Sequence, residues 1–356
     1  MGSDRTAVGA APSVDVLVLN YNGRAWLEAC FSSLRQTDYP NYRVVLVDNA
    51  STDDSVPFTQ AHFPEVAIFQ TGANAGFSRA YNMAVAASAA DYVVLLNNDV
   101  KVTPGWLKPQ IDYLERHPQV AAVQPKVRSM QNPAYFEYAG ASGGFMDVYG
   151  FPFLRGRVFD TIEEDRGQYD DVVPVVWTTG AALTARRSAY LDVNGMDEDF
   201  VHHMEEIDMC WRWLLLGYEL AVVPAAVIYH HAGATISPNS YRKVYWNHRN
   251  SVFMLLKNYG AGSLWRYLPG RLGLDVMVTG WALTRGELFR MRAVVAAWAW
   301  IVGHLRLIRR KRKVVQQRRK APEKAILRRL YPKSIALQYF LRGRKTYQAL
   351  MNALHS

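Results

Sequence analysis

Three short runs constrain this chain more than anything else in it: VDVLVLNYN (14–22), YRVVLVDNAS (42–51) and DYVVLLNNDV (91–100). Each is apolar and β-branched over most of its length and then turns abruptly polar. Successive side chains of a strand point to opposite faces, so a strand apolar throughout needs cover on both sides. Parallel sheets covered by helices provide it. The intervening segments read as those helices. GRAWLEACFSSLRQT (23–37) sets Trp26, Leu27, Cys30, Phe31 and Leu34 at helical spacing, and a second such stretch runs from Asn74 to Ala89. The pattern predicts an α/β fold with a doubly wound, mostly parallel sheet. In such sheets the ligand sits beyond the carboxyl ends of the strands. Three strand ends therefore bring Asn20, Asp48 and Asp99 to one edge, with Asn22 and Asn98 beside them.

Later segments are less regular. The loop-rich stretch 130–157 suits a mobile loop or a mixed-sheet insertion. Residues 172–200 read as a strand, a turn at Thr178–Gly180, a second strand and a short helix, and a further helix runs from HHMEEIDMC (202–210) to about Leu216. YELAVVPAAVIYHHAG (218–233) reads as a strand pair. Beyond Gly260 the texture changes to long helical segments bearing Arg and Trp. The expected organisation is a disordered leader over 1–13, an α/β domain over 14–260 and a basic, amphipathic helical region over 261–356.

Composition narrows the class. Half the residues are hydrophobic, enough for a sizeable core. Two cysteines, Cys30 and Cys210, offer no disulfide framework, which suits a reducing, intracellular setting. The first residues, MGSDRT, match the permissive myristoylation pattern, and a disordered leader is the simpler reading. AVVAAWAWIVG (293–303) falls short of the ~20 apolar residues that span a bilayer. The net charge of +10 is concentrated between Arg306 and Arg329, where twelve Lys or Arg face one acid, Glu323. Such a block beside apolar, Trp-bearing helices suits the anionic inner-membrane surface, while a helical pair packed on the catalytic domain or on a second subunit is the alternative. No nucleic-acid-binding fold is recognisable around it.

The cluster HHMEEIDMC invites a metal reading that its spacing does not support. It lacks HExxH, and Cys210 has no CxxC partner. Asp208 and Arg212 form an i, i+4 pair that belongs to helix architecture. Glu205 and Glu206 fall in the first turn, where the helix dipole favours acids, and two adjacent carboxylates make a general-base candidate. Asp99, beside two amides, suits Mg2+ or Mn2+ shared with phosphates; the alternative is an Asx turn closing the strand. Of the two histidines in IYHHAG, only one can face the site if the strand continues. TGANAGFSRAYNMA (71–84) opens a helix whose N–H groups could receive a diphosphate. It is neither GxGxxG nor a P-loop, which argues against dinucleotide-binding and P-loop NTPase functions.

In this order, VLVLNYNG, VVLVDNASTDDS, GANAGFSRAYNMA, VVLLNNDVKVTPGWL, TTGAALTARRSAYLDVNGMDEDF, HHMEEIDMCWRWLLLGY, VIYHHAGAT and YWNHRNSVF resemble the family-2 glycosyltransferases of the GT-A fold over about residues 14–258. The likeness is greatest to rhamnosyltransferase-like and galactofuranosyltransferase-like bacterial members. The resemblance implies inverting transfer of a rhamnose-like or hexose unit from a nucleotide-diphosphate donor to a hydroxyl of a glycan or lipid-linked acceptor in cell-surface polysaccharide synthesis. It implies nucleobase binding by Asp48 near Asn20 and Asn22, and contacts to the nucleotide and diphosphate from Asn74, Gly76, Arg79 and Asn98. Arg249 and Asn250 match a pair placed toward the donor phosphates. Asp99 matches the last position of a DxD motif and His230 a histidine of the metal shell, for Mn2+ or Mg2+. Glu206, backed by Glu205, matches the base. Trp177, Thr179, Gly180 and His203 fall on the side of the donor sugar and acceptor. Two departures stand out: Asn97 replaces an acid of DxD, and the base is Glu where Asp is usual. The rival expectation is an inactive sugar-nucleotide-binding subunit of a polysaccharide assembly complex. The expected location is cytoplasmic, peripheral on the inner membrane, with a homo-oligomer as a further possibility.

Overall fold

A computed structural model describes residues 11–231 and 240–355; most of the expected leader and residues 232–239, which include the end of the VIYHHAGAT run, lie outside them. The chain begins with β1 (Val14–Asn20), α1 (Arg24–Leu34), β2 (Tyr42–Asp48), α2 (Ser55–His62), β3 (Ala67–Gln70) and α3 (Phe77–Ala87). β4 (Tyr92–Asn97), β5 (Val100–Val102), α4 (Lys108–Arg116) and β6 (Val120–Ser129) follow. Next come four short strands, β7 (Gly144–Met146), β8 (Pro152–Leu154), β9 (Arg157–Val158) and β10 (Thr161–Ile162). β11 (Val173–Pro174), β12 (Ala182–Arg186), α5 (Arg187–Asp192), α6 (Glu205–Leu216) and β13 (Glu219–His230) return to the main sheet.

That sheet runs β11-β13-β6-β12-β4-β1-β2-β3, with β5 paired to β13. The three apolar runs are its parallel centre, and register alone aligns their polar ends. Asn20 lies opposite Asp48 across β1 and β2, and Leu19 opposite Asn97 across β1 and β4. β12 enters antiparallel beside β4, so the Thr179–Gly180 turn meets the same edge, where Asn97 N–H donates to the Ala181 carbonyl at 3.0 Å. The sheet is buried on both faces, as its composition requires.

Two expectations are corrected or sharpened. Residues 219–230 form one continuous strand, β13, where a pair was expected; Pro224, lacking an N–H, sits in a register shift against β6 between Val223 and Val227 without ending the strand. The 130–157 stretch belongs to an insertion, but not to a mixed sheet: β7 to β10, reaching Ile162, form a separate four-stranded, wholly antiparallel sheet.

The remaining helices are α7 (Tyr241–Asn258), α8 (Ala261–Thr284), α9 (Leu288–Gly303), α10 (Leu305–Arg318), α11 (Glu323–Leu327), α12 (Ile335–Phe340) and α13 (Tyr347–His355). α7 packs on α9, α9 on α8, and α10 crosses α7 and α6. Tyr331, Ile335, Tyr339 and Leu350 pack with Phe153 and Val158 over the small sheet. Asp147, wholly buried there, accepts N–H bonds from Tyr149, Phe151 and Ile335 at 2.9 Å each. No single described helix is long and apolar enough to cross a membrane; α9 and α10 reach that length only together, across a 72° bend.

Candidate active site

The strand-end edge is a hydrogen-bonded set with free acceptors. Asn98 Nδ2 donates to Asn20 Oδ1 at 2.7 Å, and Asn20 Nδ2 donates to Ser51 Oγ at 3.1 Å. Asn22, at φ 51°, accepts the Thr52 N–H at 2.7 Å and stitches the loop after β1 to the loop after β2. Asp48 is buried; its Oδ2 accepts the Ser51 N–H at 3.3 Å, while Oδ1 has no partner among the described residues. A buried carboxylate oxygen without a donor is unusual in a folded protein and marks a place for a ligand N–H. Asn49 Nδ2 donates to Asn74 Oδ1 at 3.1 Å, and Asn49 Oδ1 accepts the Ala75 N–H at 2.8 Å. This clamp shapes the loop before α3. Gly76 there takes φ 76°, a conformation that favours glycine, and no side chain caps the helix that follows. Arg79 is exposed on its first turn.

Next to this edge β13 and β5 pair so that His230 faces Val100. The alternation expected of the two histidines is observed. His230 turns to Asp99, whereas His231 packs against the Trp26 ring at 4.6 Å and meets Gln131 at 2.9 Å. His230 Nε2 lies 3.2 Å from Asp99 Oδ1 and Nδ1 lies 3.2 Å from Glu137 Oε2, all three side chains being buried. Burial disfavours a charged imidazole, but the flanking carboxylates of Asp99 and Glu137 outweigh it and hold His230 up at about 10. The pocket thus asks for positive charge. Beyond the His230 ring, Asp99 Oδ1 has no hydrogen-bond partner among the described residues, and a carboxylate oxygen plus a neutral imidazole is a donor set that Mn2+ or Mg2+ accepts. Asp99 and His230 fit such an ion as two protein ligands. Among the described residues no group of three or more His, Cys, Asp or Glu is assembled for one.

The third part is the start of α6. His203 and Met204 both take left-handed conformations, φ 66° and 71°, immediately before Glu205. Non-glycine residues rarely do so, and consecutive pairs must be held by their surroundings. Asn250 does the holding. Its Nδ2 reaches the carbonyls of Phe200, His202 and His203 at 2.8, 2.7 and 2.7 Å. Arg249 donates to Asn250 Oδ1 at 2.6 Å and to the Asp199 carbonyl, its guanidinium lying between the Trp246 and Trp300 rings at 4.6 and 4.2 Å. The resemblance directs this pair toward the donor phosphates; in the structure both side chains are buried and engaged on the 199–203 loop.

Glu205 is buried with Oε2 unpartnered among the described residues, and Glu206 is partly exposed. Burial pushes Glu206 up to about 7; burial and the facing charge of Glu206 push Glu205 up to about 8. A Cβ on Gly180 would stand 3.7 Å from both the Glu206 carboxyl carbon and the Phe77 ring, so the Thr179–Gly180 turn, the base candidate and the start of α3 adjoin. Thr179 is buried and shapes that turn through Gln124, which accepts its N–H at 3.0 Å. Trp177 packs at the junction of the two sheets, its Nε1 donating to the Phe145 carbonyl at 2.7 Å. His203 is partly buried; burial and the Lys243 charge lower it to about 4. Asp208 is helix architecture, as its spacing implies: it holds Arg212 and Lys257 at 2.8 Å and Asn258 at 2.9 Å.

Residues 15–169 match the model of the glycosyl transferase family 2. The chain carries a family-2 glycosyltransferase domain over those residues. It is 27% identical over 296 residues to an N-acetylglucosaminyl-diphospho-decaprenol L-rhamnosyltransferase of Mycobacterium tuberculosis, covering 78% of this chain and 94% of that relative. With the rhamnosyltransferase WbbL of Escherichia coli K12 it shares 25% over 255 residues, 68% of this chain and 92% of the relative. The fold resembles that of GalNAc-T7, solved with UDP, GalNAc and Mn2+ (TM-score 0.58, 12% identity, 72% of this chain and 49% of that one). It also resembles a Pyrobaculum calidifontis mannosyltransferase in complex with GDP-Man and Mn2+ (TM-score 0.51, 15% identity, 90% and 84%). The architecture is that of the GT-A glycosyltransferases.

The family-matched segment ends before α6, so Glu206 and His230 rest on geometry. Three residues of this glycosyltransferase's site escaped sequence reasoning. Glu137 lies in an irregular stretch with no motif. Asn49 stood in DNAS without a role. Gly23 leaves room that a Cβ would take from Asn98 Nδ2 at 2.2 Å and Asn20 Oδ1 at 2.5 Å.

Proposed function

We propose that this glycosyltransferase catalyses metal-dependent, inverting transfer of a rhamnosyl-type sugar from a nucleotide-diphosphate donor to a hydroxyl of a lipid-linked glycan. The enzyme would act at the cytoplasmic face of the membrane during cell-surface polysaccharide synthesis. The observation that carries the reading is the pairing, at one sheet edge, of a cation-seeking cluster (Asp99, His230, Glu137) with a proton-seeking carboxylate, Glu206. The rhamnosyl choice rests on the names of the two rhamnosyltransferase relatives, and the lipid-linked choice on the decaprenol in the name of the Mycobacterium tuberculosis one.

Each residue then has a task. Asp48 Oδ1 accepts an N–H of the nucleobase, and the uncapped N–H groups at the start of α3 receive diphosphate oxygens. Asp99 and His230 would hold Mn2+ or Mg2+, which when bound neutralises charge on the leaving diphosphate. Glu206 takes the proton of the acceptor hydroxyl. A base whose affinity for the proton is raised toward neutrality is well matched to that work. Attack from the face opposite the diphosphate inverts the anomeric centre. The test is a thermal-shift screen of the intact chain against dTDP-, UDP- and GDP-sugars with and without Mn2+. The expected result is a dTDP-rhamnose shift that Mn2+ enlarges; no shift with any nucleotide sugar would overturn the reading.

A further inference from the structure

Helix α8 is inside out. Of its three charged residues, Arg266 is exposed beside Trp265, whereas Arg271 and Asp275 are each 1% exposed. They pair with each other at 3.1 Å beneath the helix, and Asp275 also meets His248 at 3.0 Å and Trp298 Nε1 at 2.9 Å. The outward face holds Trp265, Leu272, Val276, Met277 and Trp281, at 82, 45, 63, 53 and 49% exposure. Those positions fall on one side of a 3.6-residue helix. A water-facing helix carries its charges the other way round. α9 extends the patch through exposed Leu288, Val295 and Val302.

We infer that this outward face of α8 and α9 docks on an anionic lipid bilayer, lying in its interfacial layer. Its chemistry suits that occupant. Tryptophans favour the membrane–water boundary, and no single helix here is long enough to cross. The patch runs into a basic margin: exposed Leu305 is followed one turn later by Arg309, with Arg306, Arg310 and Lys313 also exposed on α10. Anionic headgroups complement that margin. A second copy of the chain does not, because a two-fold interface presents this same apolar and basic face from both sides and so supplies no acidic complement from it. The inward side ties the face to the site. His248, held by Asp275, immediately precedes Arg249 and Asn250, which clasp the loop leading into α6 and Glu206. A docked α8 would therefore orient the base candidate relative to the membrane; this deepens the lipid-linked reading and rests on it for its purpose.

The test is co-sedimentation of the full chain with vesicles of phosphatidylethanolamine and phosphatidylglycerol, and with phosphatidylcholine alone. Wild type is expected to pellet with the anionic vesicles and to release as salt rises. A Val276→Glu/Trp281→Glu variant should bind at least about tenfold more weakly. An Arg306→Gln/Arg309→Gln/Arg310→Gln variant should lose the preference for anionic lipid, with both variants melting as wild type does. Wild type remaining in the supernatant, or the Val276→Glu/Trp281→Glu variant pelleting equally, would overturn the inference. So would a wild-type dimer in light scattering that this variant dissociates. Binding is read without catalysis, so a chain that pellets but ignores every nucleotide sugar would refute the proposed function alone.

Discussion

Glu137 Oε2 lies 3.2 Å from Nδ1 of His230, on the opposite edge of the ring from Asp99 Oδ1, which lies 3.2 Å from Nε2. Glu137 therefore fixes which imidazole nitrogen is turned to the strand-end edge. Outer carboxylates of this kind orient a ligand histidine and raise its basicity. Under the proposed cation role, Asn97, where the resemblance expects an acid, leaves Asp99 and His230 as the two protein ligands, so the orientation of His230 would matter more.

Replacing Glu137 by Gln should weaken Mn2+ binding by about 10- to 100-fold. Calorimetric titration of Mn2+ in the presence of nucleoside diphosphate measures it, and excess Mn2+ should restore much of the lost rate. Unchanged Mn2+ affinity would remove Glu137 from this role.

Glu206→Gln should lower kcat by about 10²- to 10⁴-fold while donor affinity stays near wild type, the signature of a lost general base. Glu205→Gln should be milder, since Glu205 is buried behind it. Equal loss in both variants would mean that the two carboxylates work as a unit.

The same pair sets a pH dependence. Glu206 must be ionised to accept a proton, so kcat should rise with pH up to about 7 and flatten above. Stability runs the other way. Both folded-state values lie above the usual carboxylate value, so the folded protein binds these protons more tightly than the unfolded chain does. That stabilising contribution is full below the unfolded value and fades as pH rises through about 7 to 8. A Glu205→Gln/Glu206→Gln variant should gain melting temperature relative to wild type at pH 8 and lose the advantage near pH 4. A constant difference across pH would contradict this.

Asn250→Asp keeps shape but removes the donors that hold the carbonyls of Phe200, His202 and His203. Stability should fall by about 1–3 kcal/mol, and kcat should fall more than donor affinity. Thermal melts and a KM-against-kcat comparison read the two effects separately.

Gly23→Ala should force apart Asn20 and Asn98, whose amides occupy the space of the added carbon. The expected outcome is a raised KM for the donor with little change in kcat, measured by steady-state kinetics.

Parallel strands announce themselves because burial on two faces leaves a continuous apolar run, and their shared register carries Asn20 and Asp48 to one edge without further information. The two histidines after β13 could be separated by alternation alone. Glu137 could not be found that way: it meets His230 across 93 residues of chain, from a stretch with no periodicity. Asn250 was singled out by the resemblance, but its hold on the 200–203 loop was opaque, since its partners there are backbone carbonyls, which leave no trace in composition. For α8 the sequence shows an amphipathic helix but not which face looks outward. The buried Arg271–Asp275 pair reverses the usual expectation. The strand pair expected over 218–233 is a single strand, because β13 absorbs Pro224 in a register shift.

The small sheet carries a consequence for how the protein is made. Asp147 accepts its third N–H from Ile335, 188 positions later, and the aromatic cover of β8 and β9 comes from Tyr331, Tyr339 and their neighbours. Every residue assigned a chemical task has been synthesised by Asn250. A nascent chain paused there would hold all of its reactive groups and still wait, with one wall unroofed, for the residues that close it.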